Sequence, residues 1–218
     1  DAPVPRRFPV VLAGTQQQPL GNYTKQSGRL ELAEWLADAQ NPITARLMVN
    51  RIWYYLLGEG LSPSLSNLGH SGQPPTHPAL LDYLSDEFVQ QGWSMKRLIR
   101  TIVLSATYQQ TSKLTASPDE QDLRLGLFGV ARVKRLEVES IWRTLNLLEH
   151  DPQSGERRRE PPYDMVKEME DLFDGADRDL IVPRRSASIS SLQALFFMNS
   201  EHVKRSTEKL AARLHRLP

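Results

Sequence analysis

From Arg29 onward, apolar residues return every three or four positions in one segment after another. That is the period of helices with one face in a core. The clearest stripe is Met95, Leu98, Ile99, Ile102, Val103 and Ala106. Ser94 fits its N-cap, with Trp93 and Leu98 spaced as a hydrophobic staple. RLELAEWLADA puts Leu32, Trp35, Leu36 and Ala39 on one face. Asn41-Pro42 ends it and opens the next helix, with Asn41 as N-cap, Pro42 in the first helical position, the stripe Ile43, Leu47, Tyr54, Leu57, and Gly58 as its stop. PALLDYLSDEFVQQ aligns Leu81, Leu84 and Phe88 and ends at Gly92. RLEVESIWRTLNLLEH aligns Val138, Ile141, Leu145 and Leu148 and stops at Asp151-Pro152. MVKEMEDLF makes one or two helical turns. The stretch from Ile189 to Leu217 is one long helix, or two joined near Asn199-Ser200 with Ser200 capping the second.

Between residues 120 and 130 the alternation of Leu123, Leu125 and Leu127 suits a strand, while two nearby glycines weaken it. A short helix stays equally open. No segment demands a sheet, so the fold class is all-α, a compact multi-helix domain with long irregular loops over residues 28–218. Residues 1–27, mixed in Pro, Gly and Gln without a helical period, read as an extended strap or linker. The chain opens at Asp1 rather than Met, so a piece of a longer polypeptide is expected.

Composition excludes several function classes. With 27 Lys+Arg against 26 Asp+Glu, no large field of one sign attracts nucleic acid or an anionic membrane. With no cysteine, disulfides, thiolate metal sites, cysteine nucleophiles and covalent c-type haem attachment are out. No apolar run reaches the ~20 residues of a membrane span. No P-loop, dinucleotide fingerprint, nucleophile elbow or zinc signature is present. No catalytic residue, metal site or cofactor is therefore assigned to this chain.

The stretch GHSGQPPTHPALLDYL holds His70, His77 and Asp82. Pro78 suits a first helical position, with His77 or Thr76 at the cap accepting a backbone N–H. A helical metal pair needs i, i+4 spacing and a third ligand, which neither histidine has. A helix entrance is thus the expected reading, and a metal or acid–base site the alternative. The loop before it, residues 58–76, is of a length that is usually functional or mobile. On the helix before that loop, Asn50 interrupts the apolar stripe, Arg46 precedes it by one turn and Arg51 adjoins it. Either Asn50 and Arg46 tie down carbonyls of the loop, or they line a ligand cleft. Glu137 and Glu139 point to different faces and make a poor two-carboxylate pair. Glu139 is expected to pair with Arg143 at i,i+4. The runs GERRRE and VPRRS read as solvated loop, with contact to phosphates or sulfated sugars as the alternative.

The blocks NPITARLMVNRIWYYLLGEGL, then NLGHSGQPPTHPALLDYLSDEFVQQGWSMKRLIRTIVLSATYQQTS, then RVKRLEVESIWRTL and PRRSASISSLQALFFMNSEHV together resemble the planctomycete domain of unknown function 1553. The resemblance runs from about Arg29 to the C-terminal helix. It implies a domain near the C-terminal end of a large exported bacterial protein, accompanied by another uncharacterised domain and often by a c-type cytochrome-like module. An extracytoplasmic location, periplasmic or at the cell surface, follows from it. The family has no established activity. Arg46, Asn50, Arg51, His77, Arg135, Glu137 and Arg185 fall on positions of its blocks and are the binding candidates.

Two readings follow. The first is a non-catalytic helical interaction or scaffold domain that docks on other domains of the same polypeptide or an associated protein. The second is an enzyme or binder acting on an extracellular polymer such as an acidic or sulfated polysaccharide, with a cleft lined by Arg46, His77 and a carboxylate. Nucleic acid and membrane insertion are not expected in either.

Overall fold

The computed structural model describes residues 6–17, 27–113, 117–150, 163–177, 179–180 and 182–215. Among them all regular structure is helical and no strand occurs, so the chain is all-α. It divides into two compact units, Asp1–Val133 and Lys134–Pro218.

The first unit contains α1 (Val10–Ala13), α2 (Arg29–Leu36), α3 (Thr44–Leu57), α4 (Pro78–Gln90), α5 (Met95–Val103) and α6 (Pro118–Gly126). Its core is where α3, α4 and α5 meet. Ala45, Val49 and Trp53 of α3 pack with Leu81, Leu84 and Phe88 of α4 and with Leu98 and Ile102 of α5. The buried line on α3 is therefore not the expected Ile43–Leu47–Tyr54–Leu57, whose members are only half-buried. The reason is that α3 is apolar nearly all round: Met48, Ile52, Leu56 and Leu57 also lean on the core. Periodicity alone cannot choose a face on such a helix. On α4 the expected three residues are the buried ones. On α5 only Leu98 and Ile102 are buried, while Met95 and Ile99 stand at the exposed margin.

Helix boundaries follow local chemistry. The α3 helix begins two residues later than expected, at Thr44. Asn41 still serves it, its Oδ1 accepting from the N–H groups of Ile43 (3.0 Å) and Thr44 (3.3 Å). Gly58 ends it at φ +86°, a left-handed position that costs glycine little. The Ser94 hydroxyl caps α5 through Arg97 N–H. The open region of residues 120–130 is the helix α6, capped by Ser117 with Pro118 in its first turn. Phe128 follows it and sets its ring edge-on to Trp53, centroids 5.3 Å apart. Near the N-terminus, Phe8 stacks on Trp35 at 4.5 Å.

The second unit contains α7 (Val138–Glu149), α8 (Tyr163–Leu172), α9 (Ser191–Asn199) and α10 (Glu201–Leu214). Val138, Ile141 and Leu145 of α7 form its core with Met169 and Phe173, joined by Trp142, Leu172, Phe196 and Val203. Helix α8 has ten residues, longer than the one or two turns expected. The C-terminal stretch is two helices. A full capping box starts α9, with Ser190 and Gln193 exchanging side-chain and backbone bonds. Ser200 ends α9 and starts α10, though its side chain makes no cap bond. The run GERRRE and the stop at Asp151-Pro152 lie outside the described residues.

Candidate functional site

The residues singled out in the first unit converge on the loop between α3 and α4. Asn50 is fully buried. Its Nδ2 donates to Ser62 O (2.9 Å) and its Oδ1 accepts from Ser62 N–H (2.8 Å). One side-chain amide thus replaces a strand partner for Ser62. The Ser62 hydroxyl donates to Gln73 O, and Gln73 N–H donates to Ser64 Oγ. Thr76 returns both its N–H (2.8 Å) and its hydroxyl (3.1 Å) to Leu61 O. Leu61 and Ser62 are completely buried. This loop is packed and bonded rather than loose, and it is the loop that Asn50 ties down.

Arg46 does something other than expected. Its Nε and Nη2 meet Asp82 Oδ1 at 2.8 and 2.7 Å, and Nη1 donates to Pro42 O. It joins α3 to α4 across a half-exposed pair, not to the carbonyls of the following loop. Arg51 is half-buried on α3. His77 occupies the N-cap position of α4, with Pro78 next, yet its ring makes no cap bond. It contacts Thr76 Oγ1 through Nδ1 at 2.9 Å and lies 5.8 Å from the Phe128 ring. Because the Thr76 hydroxyl spends its one proton on Leu61 O, Nδ1 is the donor of that contact. His70 is exposed on the crown of the loop. Among the described residues, no group of three or more His, Asp or Glu side chains is placed to hold a metal.

In the second unit the candidates form two clusters. Arg135 Nη1 donates to Ser188 O (2.8 Å), and Nη2 donates to Phe173 O and to Asp174 Oδ2 (both 2.9 Å). Asp174 also accepts from Ser188 N–H (2.7 Å) and from the Ser188 hydroxyl. Those bonds from Ser188, with the Arg135 guanidinium, hold its carboxyl below the usual range. Gln193 Nε2 adds bonds to Leu172 O and Ser188 Oγ. The second cluster is Arg185, which meets Glu139 Oε2 at 2.7 Å and Glu137 Oε2 at 3.6 Å. Glu139 therefore has its closest bond with Arg185, 46 residues on, and not with Arg143, which contributes only a longer-range attraction. The Arg185 bond holds its carboxyl pKa below the ordinary value. These clusters fasten the residues before α9 to the start of α7 and the end of α8.

Two surface pockets lie elsewhere. One, about 420 Å³, includes Phe8, Trp35, Asp38 and Gln40 in its lining; the other, about 490 Å³, lies over Lys167, Glu168, Asp171 and Leu172. None of the seven candidate residues lines either one.

The family model described as a protein of unknown function, DUF1553, matches residues 28–163. The chain belongs to the DUF1553 family. No curated protein and no solved structure matches it. The DUF1553 match takes in Arg46, Asn50, Arg51, His77, Arg135 and Glu137, and ends before Arg185. In this DUF1553 chain the polar residues of the family blocks spend much of their bonding capacity inside the protein.

What faces outward is a different feature, absent from the sequence-based candidates. Ile189, Leu192, Leu195 and Met198 follow at spacings of three and are 92%, 62%, 48% and 72% exposed. Leu192, Leu195 and Met198 on α9, with Ile189 just before it, leave an apolar stripe while Gln193 is buried and Phe196 packs into the core. From Ser186 to Ser200 the sequence carries no charged residue, in a chain where charges make up 24%. That contrast was available in the sequence.

Proposed function

We propose that this chain is a non-catalytic docking domain, and that the exposed stripe of α9 seats on an apolar, uncharged face of another domain of the same polypeptide. The stripe is the observation that carries the reading. Large exposed apolar side chains clustered along one segment are costly to leave in water, and such surfaces mark contact sites. Fully burying a Leu, Ile or Met side chain is worth ~1.5–3 kcal/mol at ~25 cal/mol per Å², which corresponds to roughly 60–120 Å² each. Weighted by their exposure, four such residues offer roughly 250 Å², about a third of the ~800 Å² per partner of a stable complex between separate proteins. A partner linked covalently needs less, because the tether holds it at effective concentrations around the millimolar range. The small patch therefore favours a neighbour in the same chain over a freely diffusing one.

Family resemblance supports the wider setting: a larger extracytoplasmic protein, with a c-type cytochrome-like module as one candidate neighbour. The rival reading, a binder of acidic polysaccharide, asks for free cations beside His77. Arg46 is engaged with Asp82 and Pro42, so the geometry favours docking.

Hydrogen–deuterium exchange tests this. Peptides covering α9 are compared in this chain alone and in the full parent polypeptide. Docking predicts slower exchange of α9 in the parent. Equal exchange of α9 in both would reject the stripe as the docking face.

A further inference from the structure

Deep in the second unit, His202 is a titratable group that no docking role requires. It is 3% exposed, on the first turn of α10. Its ring stacks on Trp142 of α7, with centroids 5.3 Å apart and planes 23° from parallel. Nδ1 lies 3.5 Å from Glu149 Oε2, and Nε2 is buried with no partner. The neutral ring fits this site: Nδ1–H can point at Glu149, and Nε2 needs only to keep its lone pair. A second proton has nowhere to go. It would create a buried N–H with no acceptor, in surroundings that penalise charge.

The surrounding charges do not reverse this. Helix α10 packs on α7 and α9. From α7 the ionisable group facing the ring is Glu149, whose other oxygen is shared with Lys209 at 3.9 Å. From α10 itself Arg205 acts against a proton, and α9 has no ionisable side chain. Burial outweighs the attraction of Glu149 and lowers the proton affinity of the ring below the ordinary value of 6.5. At the far end of the pair, Arg213 Nη1 donates to His150 O at 2.9 Å. The α7–α10 contact thus carries one buried titratable ring, His202, beside bonds that do not depend on its proton.

We propose that His202 is an acid-sensitive latch: its buried ring, stacked on Trp142 beside Glu149, holds α10 against α7 and releases it in acid. The open form binds a proton at His202 more readily than the closed form. The closed form is accordingly fully favoured above the ordinary value and loses ground as pH falls from there towards the lowered closed-state value. Within that window the opening equilibrium grows by up to roughly tenfold per pH unit. The latch is independent of what α9 docks to, since His202 and its contacts are buried inside the unit.

The test uses the whole chain. Hydrogen exchange is followed at pH 7.5, 6.5 and 5.5 and corrected for the intrinsic pH dependence of amide exchange. Peptides of α10 should gain in opening by up to about fivefold between pH 6.5 and 5.5, while α3 and α4 stay unchanged. His202→Phe keeps an aromatic ring on Trp142 and removes the titration, so it should abolish the gain. The proposal is overturned if α10 responds no more than α3 and α4, or if His202→Phe keeps the full response. Should that variant not fold, ring nuclear magnetic resonance of the native chain decides. Protonation of His202 accompanied by loss of α10 amide protection supports the latch. Protonation with α10 still protected, or α10 amide protection that falls no more than that of α3 and α4 as the pH is lowered, contradicts it.

Discussion

Asn50 and Ser62 exchange two hydrogen bonds, 2.9 Å from Nδ2 to the carbonyl and 2.8 Å from the N–H to Oδ1, both buried. A side chain in the middle of α3 thereby sets the path of a 19-residue loop, residues 58–76, without a strand or a metal. Asn50→Leu keeps the approximate size and leaves both Ser62 groups without partners. It should lower stability by about 2–3 kcal/mol. Arg51→Ala beside it should stay within about 0.5 kcal/mol. Urea unfolding of the two variants and the parent checks this, and an unchanged midpoint for Asn50→Leu would refute the bracing role.

Glycine at position 60 belongs to the same device. A Cβ there would collide with Ser62 O and come within 2.9 Å of both Asn50 Oδ1 and a Leu65 methyl. At Gly72 it would meet the Asn67 carbonyl. Gly60→Ala and Gly72→Ala should each cost about 1–3 kcal/mol, the range for overpacking. Gly129→Ala is the control, because its nearest neighbour would be 3.5 Å away. Thermal unfolding of the three separates a steric requirement from a general intolerance of alanine.

The Arg46–Asp82 pair is short, yet its side chains are 41% and 53% exposed. Water and salt weaken such pairs, so Asp82→Ala should cost no more than about 1 kcal/mol. The Arg135–Asp174 pair is much less exposed and joins three segments of the second unit. Arg135→Ala removes donors from Ser188 O, Phe173 O and Asp174 together and should cost about 3 kcal/mol or more. Chemical denaturation of the two variants compares them directly, and equal losses would refute the distinction.

Acid should expose the same contrast. Asp174 and Glu139 both have pKa values lowered by their donors, from ordinary values of 3.8 and 4.5. Their contribution is complete above those values and is lost as pH falls through the lower folded-state ones. Asp174→Asn should flatten the stability profile below pH 3.8, and a pH series of urea midpoints measures it.

How much of this was legible beforehand depended on whether the partner was local. Ser94, Gly58 and Gly92 act within their own turns, and the sequence placed them well. The stripe of α4 was readable because polar residues frame it, whereas α3 offered too many apolar sides to mark the buried one. Asn50 could be recognised as a polar interruption that needed a partner, but Ser62 could not be named, because pairing over 12 residues depends on the loop path. Glu139 shows the opposite error. Arg143 was near in sequence, and Arg185 was nearer in space. The stripe of α9 escaped notice because apolar spacing reports a face without saying whether anything covers it.

Docking through α9 is most directly tested by separating folding from binding in one variant, Leu192→Glu with Met198→Glu. Both side chains are largely in water in this chain, so surface changes there should leave the urea midpoint within about 0.5 kcal/mol per site. In the full parent polypeptide the same variant should lose the protection of α9 from hydrogen exchange while α3 and α4 keep theirs. Retained protection of α9 in a folded variant would contradict the docking account.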